Sequence, residues 1–264
     1  MNEKKKKNTG KIIWVVLFIT AVAVFIISGV MLALSFGNFE KPLDEFKNPP
    51  TDATASSEDT NNKPTSQLVP NPINFDALDA VNQDIYAWLI VPGTPIDYPV
   101  LQNAQDDAFY LKHAYDKTAS PSGSLYTEAL NRKDFSDPNT VIYGHYMRNG
   151  TFFGPLHEFR DADFFSQNRY FYIYTPGHMY KYEIFAAYET DNRHILYAYD
   201  FYDPQVFAAY IEQVFTPSDN KNLAQGIEIG PSDRIVTLST CVQSGADELR
   251  YLVQGVLIEQ QLTR

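Results

Sequence analysis

Short runs of β-branched and aromatic residues, separated by turn signals, dominate the chain after Ile73, and helical spacing occurs in few places. Residues 87–91 and 96–101 read as two strands around the turn-prone pair Pro92-Gly93, and residues 123–127 as another. Residues 140–145 follow the turn signal Asp137-Pro138-Asn139 and are rich in strand formers, so a strand is expected there. Residues 170–175 and 179–188, joined at Pro176-Gly177, predict a β-hairpin. Two further runs close the chain, residues 237–241 and 249–258. Helices are expected over residues 75–81 with Asn74 or Asp76 as cap, over 106–113 as one or two turns, and over 152–161 and 163–168. Residues 203–215 place Val206, Phe207, Tyr210, Ile211, Val214 and Phe215 at helical spacing, with Pro204 just inside the start. Many short strands with few helices predict a mainly antiparallel barrel or sandwich, not a doubly wound sheet.

Upstream the pattern changes twice. Residues 12–36 are apolar and uncharged, and at about 1.5 Å per residue they exceed the roughly 30 Å of a bilayer core. Lysines 4, 5, 6, 7 and 11 precede this run and Glu40 is the first charge after it, so the positive-inside rule puts residues 1–11 in the cytoplasm and everything beyond the anchor outside. A cleaved secretory signal is the alternative; its apolar region would be only about 7 to 15 residues, although small residues near Ala33 and Ser35 offer a cleavage site. Residues 37–72 mix Pro42, Pro49, Pro50, Pro64, Pro70 and Pro72 with small polar residues, which predicts an extracellular spacer. The folded domain is expected over residues 73–264.

Charge and composition narrow the function. The net charge is −11 although the first eleven residues are basic, so the body is more acidic still. That argues against a nucleic-acid partner, which needs concentrated Lys and Arg. With 18 Tyr and 18 Phe there is ample material for a core. Neither a glycine-rich phosphate loop nor a short His/His or Cys/Cys ligand spacing occurs, so no metal or cofactor is expected. His113, His157, His178 and His194 are scattered along the chain.

The one cysteine, Cys241, ends the run Thr237-Leu238-Ser239-Thr240-Cys241. In an oxidising compartment a thiol without an intrachain partner is either a small buried hydrophobe or a reactive group. If the last two runs pair as antiparallel neighbours, Cys241 and Arg250 meet at one sheet edge. Strand alternation puts Ser239 on the same face as Cys241, and His145 on the same face as Val141 and Tyr143. A thiol near pKa 8.5 is only a few per cent thiolate at pH 7 and gains from a basic or cationic neighbour. An imidazole can hand a proton to a leaving amine, and a guanidinium is a fixed donor to an oxyanion. The blander reading of Arg250 is an ion pair with Asp247 or Glu248.

The Thr237–Cys241 run followed by Leu249-Arg250-Tyr251-Leu252-Val253 resembles the active-site signature of sortases. Tyr143-Gly144-His145-Tyr146-Met147 with Gly150-Thr151-Phe152-Phe153-Gly154 is similar to the histidine segment of class B sortases, though Tyr146 stands where many class B members carry asparagine. The likeness extends from about residue 74 to 260. It implies an eight-stranded sortase β-barrel with short flanking helices, preceded by one transmembrane helix, and a cysteine transpeptidase of a Gram-positive cell surface. Cys241 would attack the carbonyl after a threonine in the sorting signal of a secreted protein, and an amine of the peptidoglycan peptide would resolve the thioacyl enzyme. His145 would be general acid and base, Arg250 would steady the oxyanion or the peptide, and Ser239 would touch substrate. Residues 242–248 carry no residue over from the family. The same thiol could serve an endopeptidase that uses water as acceptor, and a surface binding module with an incidental thiol is the non-enzymatic alternative.

Overall fold

The computed structural model describes residues 14–28, 43–48, 68–241 and 248–264. Two units are present, Met1–Asp44 and Glu45–Arg264. In the first, residues 14–28 form helix α1 with exposed side chains. No helix among the described residues is long and apolar enough to cross a membrane; the rest of the expected anchor, 12–36, lies outside them, as do most of the spacer and the 1–11 tail.

The second unit is built on strands β1 (Ile85–Val91), β2 (Ile96–Leu101), β3 (Leu125–Tyr126), β4 (Asn139–Tyr143), β5 (Tyr170–Thr175), β6 (His178–Asp191), β7 (Lys221–Leu223), β8 (Ile235–Cys241) and β9 (Leu249–Leu262). Eight of them pair in the closed ring β5-β1-β2-β3-β4-β8-β9-β6, with β6 returning to β5 through the hairpin at Gly177. The φ of +81° at Gly177 is the left-handed backbone that this turn needs. Closure leaves no open edge in the ring. β7 adds to β6 at Ala186–Tyr188, beyond the stretch that β5 occupies.

Alternation divides the apolar residues into two cores. Ala87, Leu89, Ile142, Phe171, Leu238 and Val253, drawn from strands all around the ring, fill the interior together with Phe153, Leu156 and Phe159 of the following loop and helix. Their neighbours Val141, Ile235 and Leu252 point outward and are covered by helix α5 (Pro204–Phe215) through Phe207, Tyr210, Ile211 and Val214. Burying such side chains contributes about 1.5–3 kcal/mol each. Asp203 caps α5, accepting from Gln205 N at 2.8 Å, and Pro204 at the first helical position has no N–H to lose. Helix α2 (Phe75–Val81) matches its expected bounds, and Asn74 is its cap, accepting from Ala77 N at 3.0 Å.

Several expectations are refined. The helix expected over 152–161 is a 3-10 helix, Gly154–Arg160, before the α-helix α3 (Ala162–Gln167); the one over 106–113 shrinks to the 3-10 turn Phe109–Leu111. The short helix α4 (Ile195–Ala198) and β7 had no sequence signal, being too short for a periodicity to show. β9 continues to Leu262 because it pairs along the whole of β6. Parts of the 37–72 stretch lie against the barrel: Phe46 is buried, Lys47 bridges to Ile73, and Val69 to Thr263. Asn71 fixes that contact by donating Nδ2–H to Thr175 O at 3.0 Å.

Candidate active site

The strand alternation that sends Val141 and Ile235 under α5 also carries Tyr143, Ser239 and Cys241 outward, where α5 no longer covers the barrel. β4 and β8 run parallel, with Tyr143 beside Ser239, and β8 and β9 run antiparallel, with Cys241 opposite Arg250. Partners across a ladder project to the same side, so Cys241 and Arg250 present their side chains on one face of the sheet. His145 lies two residues past the end of β4, after Gly144, whose N–H still reaches Ser239 O at 3.1 Å. A Cβ on Gly144 would run into Leu125 and the Phe153 ring, so only glycine lets the strand end lie this close to the interior.

These ends border a cleft of about 220 Å³ that takes in His145, Ser239, Cys241 and Arg250 together. Cys241 is a free, partly exposed thiol. His145 donates Nε2–H to Leu111 O at 2.8 Å, which orients the ring and leaves Nδ1 as the nitrogen able to exchange a proton. The carbonyl comes from the 3-10 turn Phe109–Leu111, a contribution no side-chain motif could reveal. Arg250 Nη1 reaches Leu249 O at 3.1 Å. Ser239 is buried at the cleft floor.

The rest of the cleft was not legible in the sequence. Tyr126 and Tyr143 stack at 5.4 Å on the floor, and burial pushes both phenols up, with Glu128 adding to the effect and Arg250 opposing it. Both are neutral hydroxyls at any physiological pH, and the Tyr143 hydroxyl is buried without a hydrogen-bond partner. The wall is the segment from Thr190 to Ile195. His194 ties it to the floor through Glu128, with Nε2 at 2.9 Å from Oε1 and 2.8 Å from Oε2. Burial raises the Glu128 carboxyl, and the bond to His194 partly restores it. At the rim Arg193 grips Asp191 in a two-pronged bond, Nε at 2.7 Å and Nη2 at 2.6 Å, which lowers the Asp191 pKa to about 2.

Fold and cleft together define an enzyme built around a cysteine thiol on a closed barrel. The sortase domain family matches residues 89–258. Sortase B of Listeria monocytogenes is 33% identical over 182 residues, 69% of this chain and 72% of that one. Among solved structures, sortase B of Clostridium perfringens superposes with a TM-score of 0.63 at 32% identity, over 70% of this chain and 100% of that one. A Streptococcus pyogenes class B sortase involved in pilus biogenesis gives 0.59 at 30% identity, over 70% and 97%. The chain belongs to the sortase family, in its class B. It is a cysteine transpeptidase that cleaves a sorting signal and attaches the protein bearing it to peptidoglycan.

Proposed function

We propose that Cys241 is the nucleophile of this transfer, His145 its general acid and base, and Arg250 the donor that steadies the oxyanion and the bound peptide. The observation that carries the reading is the register of β8 and β9, which pairs Cys241 with Arg250 at the mouth of the cleft that His145 also borders. The Cys241 thiolate attacks the carbonyl carbon after a threonine of the sorting signal. Charge builds on the carbonyl oxygen, where a guanidinium fork is a suitable donor. The C–N bond breaks, and the leaving amine takes a proton from His145. An amine of the peptidoglycan peptide then attacks the thioester and passes its proton to His145, and the thiolate is released. Ser239, buried beside Cys241 on the same face, is a contact for the sorting peptide.

The protein is further proposed to sit in the cell membrane by its N-terminal segment. Residues 1–11 would be cytoplasmic, 12–36 the single anchor, 37–72 the spacer, and the catalytic domain from 73 onward extracellular. The lysine cluster ahead of the apolar run supports this.

The test is an amine-transfer assay with a threonine-containing sorting peptide and a varied amine. Transfer product should rise with the amine, vanish in Cys241→Ala, and fall on the order of a hundredfold in Arg250→Lys, the size of loss seen when a transition-state donor is removed. A product that never takes up the amine would make the enzyme an endopeptidase. Parental transfer by Cys241→Ala would remove the thiol from the mechanism.

A further inference from the structure

A second arrangement lies on the opposite side of the three strand ends from the cleft. His157, from the 3-10 helix Gly154–Arg160, donates Nε2–H to the backbone carbonyl of Cys241 at 3.0 Å. Its ring is held between two aromatic rings, Tyr146 at 4.5 Å and Tyr251 at 4.9 Å between centroids. Tyr146 directly follows His145 in the chain, and Tyr251 directly follows Arg250. Because side chains alternate along a strand, Tyr251 faces inward where Arg250 faces the cleft, and it is 1% exposed. Arg160, on the same 3-10 helix, lies 5.1 Å from the Tyr251 ring centre and pairs with Glu189 of β6, whose next residue, Thr190, is opposite Arg250.

One imidazole thus touches the residue next to the acid-base group, the residue next to the guanidinium, and the nucleophile's own backbone. Cys241 is the last residue of β8, and its Cα position fixes where the sulfur sits. We propose that His157 is a positioning residue for the transfer reaction: clamped by Tyr146 and Tyr251, it holds the Cys241 carbonyl and so sets the thiol in register with His145 and Arg250. This rests on the reading of Cys241 as nucleophile. The role also accounts for the tyrosine at 146, where an asparagine would leave the His157 ring without one of its two walls. Neutral His157 must carry its proton on Nε2 to make this bond; burial, and next Arg160, favour that neutral form.

The test uses the full-length chain with His157→Phe, which keeps a ring for the tyrosines but has no N–H, and His157→Gln, which keeps a donor. The readouts are kcat and KM for amine transfer and the rate at which iodoacetamide alkylates Cys241. His157→Phe should lower kcat on the order of tenfold, short of the roughly hundredfold that about 1 Å of misplacement can cost. Its KM should stay within about twofold of the parent, and the rate of thiol alkylation should differ from the parent's, since the sulfur has moved within the cleft. His157→Gln should recover most of the kcat. Parental kcat in His157→Phe, or an equal loss in His157→Gln with the fold intact, would overturn the proposal. Should His157→Phe not fold, Tyr146→Ala removes one wall of the clamp from a partly exposed position; it should lower kcat about threefold, and parental kcat there would equally overturn it. Cys241→Ala in the same assay separates the two readings: surviving transfer sinks the nucleophile assignment, whereas its loss beside an unaffected His157→Phe sinks the clamp alone.

Discussion

Burial and the nearby Arg160 guanidinium hold the His157 pKa below the ordinary 6.5, against the opposing pull of the Cys241 carbonyl and Glu189. The other groups facing the ring, Tyr146 and Tyr251, carry phenols, and burial raises that of Tyr251 further. Between the folded value and about 6.5 the unfolded chain binds more protons, so stability rises with pH in that window. The contribution is complete above about pH 6.5 and is eroded as pH falls below it. His157→Gln, which has no proton to bind, should therefore lose less melting temperature than the parent between about pH 7.5 and 5; identical slopes would refute the depressed pKa. At this scale Cys241, His145 and Arg250 could be picked out together because the Thr237–Cys241 run, Arg250 and the Tyr143–Met147 segment resemble the sortase signature, whereas Cys241 and Arg250 taken singly had blander readings. His157 was not, because its bond is to a backbone carbonyl 84 residues away and leaves no spacing in the sequence. The same holds for Leu111, which orients His145 with a main-chain oxygen.

The elements that matter most are the ends of β4, β8 and β9. Their local character could be read from β-branched and aromatic runs, as could the β5–β6 hairpin and the amphipathic face of α5. The parallel pairing of β4 with β8 could not, because nothing local links Val141 to Thr237. Nor could the return of Phe46 and Asn71 to the barrel, since one buried ring and one bonded amide do not alter the average polarity of a proline-rich stretch. Gly144 tests whether the β4 end positions the chemistry. A Cβ there would come 2.6 Å from Phe153 Cδ2 and collide with Leu125. Overpacking of this kind costs about 1–3 kcal/mol, and relief requires moving the segment that carries His145. Gly144→Ala should lose stability of that order in denaturant melts and lower kcat more than it raises KM; parental kcat would show that the strand end is free to shift without consequence.

For the whole molecule, closing eight strands into a ring gives one rigid wall with two differently used faces. The inside is filled by the core. Outside, α5 covers one part and leaves the other as the cleft bordered by His145, Cys241 and Arg250. A barrel was expected from the number of short strands, while its closure depends on contacts far apart in sequence. A sorting peptide should become covalently attached to one sulfur in that cleft. Intact mass of the full-length chain, taken after exposure to a panel of threonine-containing sorting peptides without added amine, measures this directly. The expected result is an increase equal to the acyl half of one peptide, located on Cys241, discharged by a peptidoglycan-type amine and absent from Cys241→Ala. A protein that turns over the peptide while its mass never changes, or whose adduct persists in Cys241→Ala, would rule out a thioacyl enzyme on Cys241.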